Sequence, residues 1–183
     1  MLPHLLVASF ASPVSERAPS TSFGTSFLST HRIITIAVMV EAHADVTLPV
    51  SCEVAFLAAT DLDNADWLPA VRSVRHLGGP HSGMGARYEV EAGMVGKHLR
   101  GVLACTEFIA PTHALIELED GMDLAITLGF TQVSGGCRMD VTARYAVGGG
   151  PFGVAVERAS IGPARREVAR AVEQFAARFG RKT

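Results

Sequence analysis

A chain of 183 residues, 48% of them hydrophobic, has the size of one domain and can bury a core without a metal or a disulfide to hold it. That hydrophobic content excludes a disordered chain, and the 18 Gly and 9 Pro follow no collagen-like period. With 16 Lys+Arg against 18 Asp+Glu there is no overall basic field, so nucleic acid is not an expected partner.

The first forty residues differ from the rest. Only Glu16, Arg17 and Arg32 are charged before Glu41, and seven of the eleven residues at 20–30 are Ser or Thr. Such a stretch cannot supply a packed face. The apolar start lacks the positive n-region of a secretory signal. It is also too short to span a bilayer, as is the run at 33–40, so no integral membrane segment is expected. Residues 1–40 therefore read as a disordered or wrongly assigned extension, with Met39 as an alternative initiator. The folded domain is expected at 41–183.

Period-2 patterning then takes over. A strand is predicted over 44–50, and Ser51 is placed to cap a short helix at 52–59 with Glu53 in its first turn. Acids ahead of Trp67 suggest a second short helix near 63–68. Alternating segments follow at 70–78, 84–93, 97–110, 113–119, 123–133 and 137–147. Gly78-Gly79-Pro80, Gly93, Pro111, Asp120-Gly121 and Gly135-Gly136 punctuate them. The spacing predicts an antiparallel meander.

The chain closes with a helix. Val168, Val172, Phe175 and Phe179 form one apolar stripe, and Gly180 is placed as its cap. Pro163 either starts this helix or lies within a longer one beginning near Phe152. Residues 41–123 carry 13 acidic and 5 basic side chains, whereas 124–183 carry 4 acidic and 9 basic. The basic excess reads as the solvated face of this helix. Cys52, Cys105 and Cys137 are odd in number and form no CxxC pair, so they read as buried thiols of a reducing, cytoplasmic compartment.

The sharper chemical motifs fail. Asp61-x-Asp63 lacks the Gly and Glu of a calcium loop, the Gly-rich stretch at 148–153 lacks a P-loop Lys, and Ser82 does not stand in GxSxG. His76 and His81 have no carboxylate at helical spacing, so no metal or other cofactor is expected.

The inner face of the sheet remains. Its apolar phases are Tyr88, Val90 and Ala92, then Leu99, Gly101, Leu103 and Cys105. They continue through Ile116 and Leu118, Leu124 to Phe130, and Met139 to Tyr145 in steps of two. Tyr88, Tyr145 and Glu107 are the polar intrusions on it. Glu107 belongs to this face unless a bulge flips its phase.

Several segments, in order, resemble one superfamily. These are Val50-Ser51-Cys52-Glu53-Val54-Ala55-Phe56, then Asp61-Leu62-Asp63-Asn64-Ala65-Asp66-Trp67-Leu68-Pro69, and Gly83-Met84-Gly85. Thr106-Glu107-Phe108-Ile109-Ala110-Pro111, Gly135-Gly136-Cys137-Arg138-Met139 and Gly148-Gly149-Gly150-Pro151-Phe152-Gly153 follow. The order is similar to that of the SRPBCC superfamily of START domains, birch-pollen-allergen-like proteins and polyketide cyclases/dehydratases. The resemblance covers about 43–180 and implies an α+β helix-grip fold: a seven-stranded antiparallel sheet wrapped around a long C-terminal helix, with two short helices after the first strand. It also implies an internal apolar cavity.

Ligand contacts are accordingly expected from Trp67, Tyr88, Leu103, Glu107, Ile116, Leu128, Met139 and Tyr145. The expected partner is a small hydrophobic molecule, lipid-like, aromatic or polyketide-like, held by a carrier or sensor. Two alternatives stand beside it. In a cyclase or dehydratase, Tyr88, Tyr145 or Glu107 would move protons. In a toxin of a toxin–antitoxin pair the partner would be a protein, and a homodimer is also open.

Overall fold

Seven strands and one long helix account for most of the described residues. The computed structural model describes residues 38–94, 97–120, 122–147 and 153–180. The expectations for residues 1–37 lie outside that range. In chain order the elements are β1 (Val38–Leu48), α1 (Cys52–Thr60), a single 3-10 turn (Leu62–Asn64), β2 (Val71–Gly78) and β3 (Arg87–Met94). β4 (Lys97–Ile109), β5 (His113–Leu118), β6 (Leu124–Val133), β7 (Gly136–Val147) and α2 (Gly153–Gly180) complete them.

The strands form one antiparallel sheet in the order β1-β7-β6-β5-β4-β3-β2. Consecutive hairpins build β2 to β7, and β1 returns from the far end of the sequence to pair with β7 along its whole length, from Val38↔Val147 to Leu48↔Cys137. α2 lies against β1 and β7 on the inner face. The helix-grip architecture implied by the sequence is thus the architecture of the protein.

Two details differ from the sequence reading. β1 starts at Val38, so residues 38–40 belong to the sheet and Val40 is a core residue at 1% exposure. Its alternation was hidden because the run at 33–40 is apolar in both phases. The second helix shrinks to the turn Leu62–Asn64, because Asp61 and Asn64 bond each other through their side chains, 2.7 Å apart, rather than propagating a helix. α1 forms as expected, with the Ser51 hydroxyl accepting from the Val54 N–H.

The cysteines require a correction. Cys52 and Cys137 are joined in a disulfide, and only Cys105 is a free, buried thiol. Nothing in the local spacing announces this bridge, since 85 residues separate its ends. The β1–β7 register creates it. That register seats Cys137 opposite Leu48, four residues before Cys52 opens α1, and leaves the two Cα atoms 5.0 Å apart. The chains are so close here that a Cβ on Gly136 would collide with the Leu48 carbonyl oxygen. Glycine is needed at that position for space.

Along α2 the stripe Val168, Val172 and Phe175 is buried, at 9%, 3% and 0% exposure, and Phe179 packs beside it. Pro163 lies inside the helix. It removes one backbone donor there and does not end the helix.

Candidate functional site

The inner face of the sheet is filled unevenly, and side-chain size decides where. At one end α1 presses Phe56 into the sheet, with ring centroids 4.8 Å from Phe108 and 5.4 Å from Phe130. Met139 and Leu128 pack there too, at 0% and 1% exposure. Phe175 of α2 meets Trp67 edge-on at 4.9 Å and Phe179 at 5.3 Å. Large rings leave no room at this end.

The other end is lined by small and aliphatic side chains, and it is hollow. A cavity of about 160 Å³ lies between α2 and the sheet. The sheet contributes Val90 and Ala92 from β3, Leu99 and Leu103 from β4, and Leu124 and Ile126 from β6. Val141, Ala143 and Tyr145 of β7 complete that wall. The helix side is Pro163, Ala164, Glu167, Val168 and Ala171. The segment 68–71, leading into β2, closes one flank. Alanines at 92, 143, 164 and 171 stand where larger residues would fill the space, so the hollow is written in the sequence as missing volume.

Only two of these residues offer polar side-chain atoms. Tyr145 is 2% exposed, and its hydroxyl donates to the Ser160 carbonyl across a long 3.5 Å. Burial raises its pKa. Glu167 is half-buried on the helix wall and has no hydrogen-bond or ion-pair partner among the described residues.

Of the residues expected from the sequence to contact a ligand, the structure places Leu103 and Tyr145 in the cavity wall. Ile116, Leu128 and Met139 share the inner face but sit in the packed core rather than on the wall. Trp67 is 3% exposed and packs on Phe175 just outside the lining, its indole N–H without a partner among the described residues. Tyr88 is fully buried, but its hydroxyl donates to the His81 carbonyl in the β2–β3 loop, away from the cavity. Burial, with lesser contributions from Asp63 and Asp61, pushes its pKa up to about 12.

Glu107 faces solvent. The ladder between β4 and β5 slips between Cys105 and Glu107, and this bulge turns the carboxylate outward to His113 Nε2 at 3.0 Å. The residues that sequence reasoning missed are those of the helix wall. Ala164, Glu167, Val168 and Ala171 recur at helical spacing, and that signal was available.

On the outer face, His43, Asp45 and Asp140 bring three possible metal-ligating atoms within 4.8 Å of one another. Arg138 already lies there, its Nε 3.4 Å from Asp45 and an Nη 3.2 Å from Asp140, so a guanidinium supplies the positive charge. No helix among the described residues is long and apolar enough to cross a membrane.

Comparison with known proteins agrees with this geometry. Residues 39–180 match the model of a family described as polyketide cyclase / dehydrase and lipid transport. A search of curated proteins gives no significant match. Among solved structures, a protein of Thermus thermophilus superposes with a TM-score of 0.66 at 20% identity, over 76% of this chain and 96% of that one. The Zhui aromatase/cyclase of a Streptomyces species gives 0.64 at 11% identity, over 79% and 95%. A START superfamily protein of Mycobacterium smegmatis gives 0.59 at 13%, over 78% and 97%. At these identities the likeness is one of fold.

Proposed function

The chain belongs to the polyketide cyclase / dehydrase and lipid transport family, and from that premise we propose that it binds a small hydrophobic molecule in the cavity under α2, as a carrier or sensor. The supporting observation is the cavity itself. An aliphatic hollow of about 160 Å³ forfeits packing energy that a larger side chain at Ala143 or Ala171 would recover. Its size is close to that of an engineered apolar cavity of roughly 150 Å³ that admits benzene. It is smaller than the roughly 300–1,000 Å³ usual for drug-sized ligands. The occupant is therefore small, or extends through the opening with only part of itself enclosed.

The test is direct. Native mass spectrometry of the purified protein reports any molecule carried through purification. Displacement of a fluorescent apolar probe then reports binding in Ala143→Phe and Ala171→Phe variants, which fill the hollow. Folded variants with lost binding support the reading. Unchanged binding places the ligand elsewhere.

A catalytic reading has one observation in its favour. Tyr145 and Glu167 both line the cavity, and groups of those types can donate and accept protons. Turnover of a polyketide-like substrate that is lost in Glu167→Gln would establish it. The toxin reading rests on the likeness of the Gly93-Met94 turn and the Gly-Gly-Pro-Phe-Gly stretch at 149–153 to toxins of this superfamily, and a shared fold does not fix a function. The expected cytoplasmic location rested on reduced thiols, and the Cys52–Cys137 bridge removes that ground.

A further inference from the structure

Two polar side chains line the cavity among the described residues, and both can accept a hydrogen bond from what occupies it. Tyr145 reaches the Ser160 carbonyl only across 3.5 Å, and its oxygen keeps lone pairs that can accept from a ligand. An ionised Glu167 offers two acceptor oxygens and no donor. Among the described residues it is the one charged side chain in the lining, with no Lys, Arg or His beside it there. The basic residues of the same helix stretch, Arg165, Arg166 and Arg170, are exposed. The ion pairs of the outer face, such as Arg75–Glu89 and Arg144–Glu41, satisfy their carboxylates, but Glu167 has no such partner among the described residues. A half-buried carboxylate at the edge of an apolar space, unpaired among the described residues, is poised for a group that arrives with the ligand.

We infer that the ligand is a small amphiphile that carries a hydrogen-bond donor, an alcohol or an amine, on an apolar body of about one ring. The donor is held at Glu167 and the body lies against Ala92, Ile126, Ala143 and Ala171. A carboxylate or phosphate head group fits poorly, because it would meet the Glu167 carboxylate with no cation among the described lining residues to offset it. Fatty-acid-like anions are thus poor ligands despite an apolar tail. This inference rests on the cavity reading above and narrows it to a chemical class.

The experiment uses the full chain and four probes of one shape: toluene, benzyl alcohol, benzylamine and benzoate. Each is titrated at up to millimolar concentration and followed by amide chemical shifts in the parent and in Glu167→Gln. Benzylamine and benzyl alcohol should bind at least about tenfold more tightly than benzoate, the scale of a hydrogen bond to a charged group. Glu167→Gln should weaken benzylamine by a similar factor and leave toluene unchanged.

Benzoate binding as well as benzylamine would overturn the inference and leave the cavity reading standing. So would a Glu167→Gln variant that loses toluene and benzylamine equally, since that is the mark of a structural role. If none of the four probes shifts resonances of the lining residues, the cavity reading itself falls, and the inference with it.

Discussion

Cys52 and Cys137 stand 85 residues apart in sequence and are covalently joined, tying the first residue of α1 to the start of β7. α1 is the element that presses Phe56 against Phe108 and Phe130, so the bridge fastens the packed end of the molecule. A cross-link closing so long a loop restricts the unfolded chain strongly, and native disulfides of this kind contribute about 2–4 kcal/mol. Reduction, or Cys52→Ala with Cys137→Ala, should therefore lower Tm by several degrees. Thiol titration of the denatured, unreduced protein should find one reactive group, Cys105, and three after reduction. Three thiols before reduction would show that the bridge does not form.

Phe175 is fully buried between Trp67 and Phe179. Phe175→Ala removes a ring from the packed end and should cost roughly 3–5 kcal/mol in chemical denaturation. A loss below about 1 kcal/mol would place the ring outside the core.

The sheet and the last helix were legible because alternation and a 3.6-residue stripe are properties of the sequence itself. The inward phase of every strand from β3 to β7 followed from period 2, up to the bulge that turns Glu107 outward. Three kinds of feature were not legible. The Cys52–Cys137 pairing depends on β1 meeting β7, a contact between distant parts of the chain. The fate of the Tyr88 hydroxyl depends on the carbonyl that the β2–β3 loop happens to offer. The position of the hollow depends on which end of one face carries the small residues, and phase alone does not distinguish Met139 from Tyr145. Reading volume as well as polarity, Ala92, Ala143, Ala164 and Ala171 against Phe56, Phe108, Phe130 and Phe175, would have located it.

Tyr88 gives a pH-dependent signature. Its folded pKa is raised from 10.0 to about 12, so its neutral form is favoured in the folded state. The stability this contributes is fully present below pH 10 and is lost as pH rises from 10 through 12. Ultraviolet titration should show both tyrosines ionising above the ordinary tyrosine range, because burial also raises Tyr145. Tyr88→Phe should remove part of the steep alkaline loss of stability between pH 10 and 12. A tyrosine titrating near pH 10 in the folded protein would contradict this burial.

A chain starting at Met39 should keep the fold. It retains all of β1 except Val38, and Val40, Ala42 and Leu48 supply the strand's buried side chains. Tm should stay within a few degrees of full length. A larger loss would assign residues before 39 a structural role.

The two tyrosines, alike in sequence context, should separate in function. Tyr88 spends its hydroxyl on the His81 carbonyl and is absent from the cavity wall, whereas Tyr145 lines that wall and holds its Ser160 carbonyl only at 3.5 Å. Tyr145→Phe should therefore cost under about 1 kcal/mol in stability, since so long a hydrogen bond is weak. The same change should weaken a donor-bearing probe such as benzyl alcohol by roughly twofold to tenfold, the worth of one neutral hydrogen bond. Tyr88→Phe should show the reverse pattern. It leaves the His81 carbonyl without its buried partner, lowers Tm, and does not alter probe affinity in the protein that remains folded. Isothermal titration beside thermal melts measures both effects on the same samples. Equal affinities in parent and Tyr145→Phe would reduce Tyr145 to a wall of the hollow and leave Glu167 as the remaining polar contact among the described residues.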